Sequence, residues 1–329
     1  MSKRVAIIGC KSTTRFLIES LAKHITIDFM VTIDRQLGEK NEVADYDDLS
    51  DLANVHQIGI YYAKNYSLKT EEDLGFFEKE KIDICFIVGW QRLIPENILQ
   101  KLSVGAFGMH GSAMDLPLGR GRSPMNWAII EGKKQFYTNL FKYDPGVDSG
   151  DVLDTFKFQI TDRDTAETMH FKNSLAMVYL IKKNLNLLMS GLFVLQKQNS
   201  QITPTYYPKR NPQNSLINWN DDVTVIERFI RAVAPPFNGA YSFINGVGKI
   251  IIIESQTFDL SDFGYSNEKA GTIVQVFPNG KFLVKCFGGL LLVNHYKSES
   301  IPSINSVMTT GSEQLKFFER NHEGFFDLS

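Results

Sequence analysis

The sequence predicts an α/β protein, a doubly wound, mostly parallel sheet followed by a smaller β-rich second domain. Three observations carry this. Short apolar runs alternate with helix-period segments through the first half of the chain, the pattern of strands buried on both faces and joined by crossover helices. From residue 250 on, the runs are short and β-rich, broken by Pro278-Asn279-Gly280 and Gly288-Gly289 turns, which suits a small barrel or curled sheet. Between the two parts, residues 200–215 are rich in Pro, Gln, Asn and Thr, a linker composition. The expected division is a first domain at 1–200, a linker at 201–216 and a C-terminal domain at 217–329.

Taken in order, Val5-Ala-Ile-Ile-Gly9 reads as a first buried strand and residues 13–23 as a helix, with Phe16, Leu17, Leu21 and Ala22 on one stripe. The turn between them, Gly9 to Thr13 and including Lys11, could receive phosphate at the helix N-terminus. It lacks the Gly-x-Gly-x-x-Gly fingerprint, so an ordinary tight turn is the competing reading. Residues 25–33, 58–62 and 82–88 read as further strands, with an acidic loop over 39–51 and a helix over 71–80. In such a sheet ligands lie beyond the carboxyl ends of the strands, here after Val88 and after Phe107. Pro95 begins a short helix over 96–102. Leu93 and Ile94 read equally as core, whereas Arg92 meets a ligand or carboxylate, because a buried unpaired guanidinium is costly. Strand composition returns at 136–143 and 152–160. Asp164-Thr-Ala-Glu167 then caps a long helix, on which His170 reads as packed or surface. Residues 221–233 form a helix started by Asn220 or Asp221, and 250–253, 271–277, 281–287 and 290–295 supply the later strands.

Composition narrows the function. A chain of 329 residues, 43% hydrophobic and 22% charged, permits two globular domains with sizeable cores. A net charge of −2 gives no bulk sign of a nucleic-acid binder. From Thr205 onward 11 Lys plus Arg face 12 Asp plus Glu, which argues against a nucleic-acid groove there. Cys10, Cys85 and Cys286 lie far apart without metal spacing, so reduced thiols in a cytosolic protein are expected, and no metal. The N-terminal apolar run is too short for a signal peptide, and no run approaches a membrane span.

The chemistry concentrates between Gly108 and Asp151. Gly108-Met-His-Gly-Ser112 leads into Leu116-Pro-Leu-Gly-Arg-Gly-Arg-Ser-Pro-Met-Asn-Trp-Ala128, and Asp144-Pro-Gly-Val-Asp-Ser-Gly-Asp151 follows a strand-like run. Loops beside a rigid scaffold tend to hold function. A histidine that a later carboxylate can reach is a proton-transfer pair. The guanidinium groups of Arg120 and Arg122 suit phosphate or carboxylate, with a structural ion pair to the acidic turn as the alternative. Ser112 either orients the histidine or bonds its own backbone.

These blocks, in this order, resemble the 10-formyltetrahydrofolate-dependent formyltransferases, which act on methionyl-tRNA, glycinamide ribonucleotide or nucleotide-linked amino sugars. The resemblance covers residues 80–185 well. A weaker match lies at Ser215-Leu-Ile-Asn-Trp219 and Ile230-Arg-Ala-Val-Ala-Pro-Pro-Phe-Asn-Gly-Ala-Tyr241, similar to the start of the family's C-terminal domain. It implies a Rossmann-like catalytic domain, an OB-like C-terminal domain and 10-formyltetrahydrofolate as co-substrate. By position His110 matches the family's catalytic histidine and Asp148 its aspartate. Trp90, Gln91, Arg92, Leu93 and Ile94 match the folate-lining loop, and Asp144, Gly146 and Asp148 the acidic turn beside it. Gly9, Lys11, Ser112, Arg120 and Arg122 are the candidates for substrate contact.

Two departures are visible. Asp115 makes the loop one residue longer than the family's Ser-Leu-Leu-Pro pattern, and Gly108 stands where most members carry the Asn of Asn-x-His. An oxyanion donor of that kind is worth on the order of 3 kcal/mol. Another group, Asn126 for one, supplies the donor, or water replaces it, or turnover is lost. The expected function is N-formylation of a nucleotide-linked amino sugar for polysaccharide biosynthesis, by a cytoplasmic homodimer without nucleic-acid or membrane partners. Methionyl-tRNA formylation and non-catalytic folate or sugar-nucleotide binding are the alternatives.

Overall fold

Four apolar runs, Val5–Ile8 (β1), Phe29–Thr32 (β2), Gly59–Tyr62 (β3) and Ile84–Ile87 (β4), are parallel strands in a computed structural model, which describes residues 3–326. Every residue of β1 and β4 is buried. That is why neither shows the polar alternation of a half-exposed strand. Gly105–Ser112 (β5) joins β4 in parallel, and Gln135–Lys142 (β6) pairs with β5 antiparallel. With Val152–Gln159 (β7), the seven strands run in the order β3-β2-β1-β4-β5-β6-β7.

Helices Ser12–Leu21 (α1), Arg35–Lys40 (α2), Ser50–His56 (α3), Glu71–Glu80 (α4) and Glu96–Leu99 (α5) make the crossovers. Part of the expected acidic loop is therefore helical. Its bend is pinned by Arg15 of α1, whose guanidinium reaches Asp47 at 2.6 Å and Asp51 at 2.7 Å. The two faces of the sheet bury separate clusters. Ile7, Leu17, Phe86, Phe107 and Leu140 lie in one, and Ile8, Cys85, Phe77, Trp90 and Ile98 in the other. The three cysteines are buried and unpaired, and burial pushes the Cys10 thiol up to about 11.

The chain divides into two compact units that interleave in sequence. The first holds residues 1–120, 137–158 and 172–204, and the second holds 121–136, 159–171 and 205–329. Helices Pro124–Ile130 (α6) and Val223–Val233 (α8) belong to the second unit, while Ala166–Ser190 (α7) contributes to both. The cap of α8 is Asp222, whose carboxylate accepts from the Thr224 N–H at 2.9 Å, rather than Asn220 or Asp221.

Ala240–Ile244 (β8), Gly248–Asp259 (β9), Ile273–Val276 (β10), Phe282–Cys286 (β11), Gly289–Lys297 (β12) and Met308–Thr309 (β13) form an antiparallel sheet in the order β10-β11-β12-β9-β8-β13. Ile226, Ile230, Ile252, Phe282 and Leu291 fill its core. From Thr205 the proline-rich segment is folded into this unit. Tyr207 is buried, and the Arg210 guanidinium lies 4.8 Å from the Trp127 ring, where burial lowers it to about 10. Among the described residues no helix is long and apolar enough to cross a membrane.

Candidate functional site

His110 owes its position to strand length. Register pairs Ile84 with Gly105 and Ile87 with Gly108, where β4 ends, while β5 continues to Ser112. On its other side β5 stays paired with β6, His110 opposite Asn139. The histidine is thus held by a strand on one flank only, beyond the carboxyl end of β4, the edge where this fold class binds ligands. Phe107 and Leu140 enter one core cluster, so by strand alternation Gly108 and His110 face the other way. An open groove lined by residues 22–27 and 56–58 lies instead at the amino-terminal edge of β2 and β3.

His110 is buried, and its Nδ1 lies 3.3 Å from Asp148 Oδ2. Its Nε2 lies 2.7 Å from the Gly119 carbonyl. Both ring nitrogens face acceptors, so the ring donates to both only when both carry protons. Asp148 has φ +50°, a left-handed conformation uncommon outside glycine, which the acidic turn holds in place. Asp144 Oδ1 accepts from the Gly146 N–H at 3.0 Å and from Ser149 Oγ at 2.6 Å. Gln198 Nε2 donates to the carbonyls of Asp148 and Gly150, each at 2.8 Å, and its Oε1 accepts from Arg120 Nη2 at 2.7 Å. Buried Arg120 therefore braces the acidic turn through Gln198. Nothing in the local sequence marks Gln198, which sits where the composition already turns to linker.

The loop after β4 is anchored at both ends and open between. Trp90 is buried edge-on to Tyr66 at 4.6 Å, with its indole N–H unpartnered among the described residues, and Ile94 is core. Gln91, Arg92 and Leu93 are exposed, Leu93 by 48%. The Gln91 N–H donates to the Tyr66 hydroxyl at 3.1 Å, and the Arg92 guanidinium lies 4.8 Å from the Tyr66 ring. Tyr66 is a supporting residue that no motif had flagged.

Gly9 and Lys11 follow β1 at the point where the strand order reverses between β1 and β4. The crossing is filled by protein. Thr14 Oγ1 donates to the Val88 carbonyl at 2.7 Å and accepts from the Lys11 N–H at 3.2 Å, leaving no room for a side chain at Gly9. Ser112 Oγ accepts from the Met114 N–H at 3.2 Å, the local turn bond considered above. Arg122 and Asn126 belong to the second unit. Arg122 is exposed, and its N–H donates to the Tyr207 carbonyl at 2.8 Å. Asn126 is buried, and its Nδ2 donates to the Ala232 carbonyl at 2.7 Å, a bond it would have to give up to serve as an oxyanion donor. Among the described residues no group of three or more His, Cys, Asp or Glu is placed to hold a metal ion.

Residues 4–177 match the family described as "Formyl transferase", and residues 209–308 match "Formyl transferase, C-terminal domain". A curated relative, the bifunctional polymyxin resistance protein ArnA of Wigglesworthia glossinidia brevipalpis, is 31% identical over 229 residues, 68% of this chain and 32% of that protein. The aligned part thus spans about a third of that relative's length. Among solved structures, the N-formyltransferase of Helicobacter canadensis in complex with folinic acid and dTDP-3-aminofucose superposes with a TM-score of 0.64 at 20% identity, over 90% of this chain and 100% of that one. WlaRD, a sugar 3N-formyl transferase solved with dTDP and 5-N-formyl-THF, gives 0.64 at 19% identity, over 91% and 98%.

Proposed function

Because the chain belongs to the formyl transferase family, we propose that it moves the formyl group of 10-formyltetrahydrofolate to the amine of a nucleotide-linked amino sugar. The observation that carries this is the contact of buried His110 with half-buried Asp148 beyond the end of β4. Formyl transfer needs a donor to the developing oxyanion, an acceptor for the amine proton and exclusion of water. In this reading Asp148 holds His110, which turns from the Gly119 carbonyl to donate to the oxyanion, and Asp148 or a relayed water takes the amine proton.

The co-substrate supplies the formyl carbon. The loop Trp90–Ile94 suits its ring system, because three consecutive exposed residues stand between two buried anchors next to an unpartnered indole N–H. Asp144 and Gly146 support this from the acidic turn. Gly9, Lys11, Ser112, Arg120 and Arg122 remain the proposed contacts to the nucleotide sugar, Arg120 through the turn it braces. Two structures of this fold were solved with folates, one with dTDP-3-aminofucose and the other with dTDP, which supports the substrate class. The near balance of charge from Thr205 onward supports a small substrate over transfer RNA. The proposal keeps a catalytic domain at 1–200, a linker at 201–216, a C-terminal domain at 217–329, and a cytoplasmic homodimer.

The test is a formylation assay with 10-formyltetrahydrofolate and a panel of dTDP- and UDP-linked amino sugars, read by mass as one formyl gained on the sugar. Transfer to at least one sugar is expected. Transfer to charged methionyl-tRNA and to no sugar would overturn the substrate class.

A further inference from the structure

Gly108 sits two residues before His110 on the same face of β5. A Cβ built there falls 2.9 Å from the Ile87 carbonyl and 3.0 Å from Tyr143 Cζ, with Tyr143 Cε2 nearer still. No side chain fits at position 108 while the Tyr143 ring is in place. That ring is well held. It stacks at 5.1 Å, 10° from parallel, on Phe141, the cross-strand partner of Gly108. The Tyr143 N–H donates to the Ala106 carbonyl at 2.8 Å. The ring, whose Cζ carries the hydroxyl, therefore fills the space into which a side chain at position 108 would extend.

Resting on the formyl-transfer reading, we propose that the Tyr143 hydroxyl is the oxyanion donor of this site, replacing the amide that Gly108 cannot supply. A glycine here is then the counterpart of an aromatic ring that brings its own donor. Burial first, and then the nearby Asp148 carboxylate, push the phenol far above its ordinary range, so it keeps its proton at neutral pH and stays a donor. In the reaction the amine lone pair forms the new C–N bond, and the formyl C=O pair moves onto oxygen. Tyr143 O–H and His110 donate to that oxygen. The pair then returns to re-form the carbonyl as the bond to folate N10 breaks. The proton lost by the amine, carried by Asp148 or water, ends on N10. Formamide and tetrahydrofolate leave, with no change of oxidation state.

Tyr143→Phe keeps the ring and its stacking and removes only the hydroxyl. In a wild-type chain shown to transfer formyl, this variant is expected to lower kcat about 10²–10³-fold with unchanged melting and folate affinity. A swap provides the second test. Tyr143→Ala loses activity, and Gly108→Asn added to it recovers about tenfold or more, because with the ring gone only the Ile87 carbonyl, 2.9 Å from the new Cβ, has to give way. Gly108→Asn alone, against the intact ring, is expected to be inactive. A Tyr143→Phe variant with wild-type kcat overturns the proposal while the formyl-transfer reading stands. So does loss of activity on Asn139→Ala instead, since Asn139 lies opposite His110 with its Nδ2 buried and, among the described residues, unpartnered. A wild-type chain that formylates none of the amines removes both, and does so before any variant is made.

Discussion

At the scale of single residues, the charge of Asp148 can be tested apart from its shape. Its φ of +50° is one that asparagine tolerates better than most side chains, so Asp148→Asn removes the charge beside His110 without adding backbone strain. The expected result is a fall in kcat of about 10²–10⁴-fold, the range for loss of a positioned acid–base partner. Steady-state kinetics beside a thermal melt checks it, and a variant with unchanged kcat sinks the role. If the pair works as a unit, His110→Gln and the double variant lose about as much as the single change. This pair was legible because both members lie in short blocks whose residue types and order are specific. Tyr143 and Gln198 were not. Each acts through a contact made only when distant stretches meet, Tyr143 against Gly108 and Gln198 against the carbonyls of Asp148 and Gly150.

At the scale of elements, the parallel strands were readable because burial on both faces turns β1 and β4 into unbroken apolar runs. β5 was harder. Gly-Met-His-Gly-Ser has the composition of a loop, yet it is strand through Ser112, since β6 keeps pairing after β4 has stopped. β9 likewise runs to Asp259, beyond its isoleucines, because its pairing with β12 shifts register and lets polar residues sit at the edge. The short helices α2 and α3 lack the length for a clear period, so acidic composition hid them. The acidic turn is the element that carries Asp148 to His110. Its carbonyls accept from Gln198, and Gln198→Ala removes both of those bonds together with the one from Arg120 Nη2. The expected outcome is about a tenfold fall in kcat from a looser Asp148, with the thermal midpoint little changed. An equal loss of midpoint and rate would mean that Gln198 is only a structural brace.

At the scale of the whole molecule, carboxylates set how stability depends on pH. Burial alone would raise Asp154 above its ordinary 3.8, but the Lys183 ammonium at 2.8 Å, the Asn184 amide and the Thr155 N–H outweigh it and hold it below. Asp83 follows the same pattern, burial being overcome by Ser103, the Arg4 N–H and Lys3. Asp48, Asp51, Asp162 and Asp222 are lowered too. A carboxyl held low in the folded chain contributes stability that is fully present above 3.8 and is lost as pH falls through its folded value. Asp221 is raised by burial, so its contribution has the opposite sign, present at low pH and lost on going up, and it offsets only one of the six. Asp48, Asp51 and Asp162 lie at the surface, where solvent screens the gain, which leaves Asp83, Asp154 and Asp222 to carry most of the slope. Urea midpoints are therefore expected to stay level from about pH 8 to about pH 5 and to drop from about pH 4 downward. Lys183→Met should flatten part of that drop, since Asp154 then loses its ammonium partner. A midpoint that rises on acidification, or a slope untouched by Lys183→Met, would show that these carboxylates do not set the acid limb of stability.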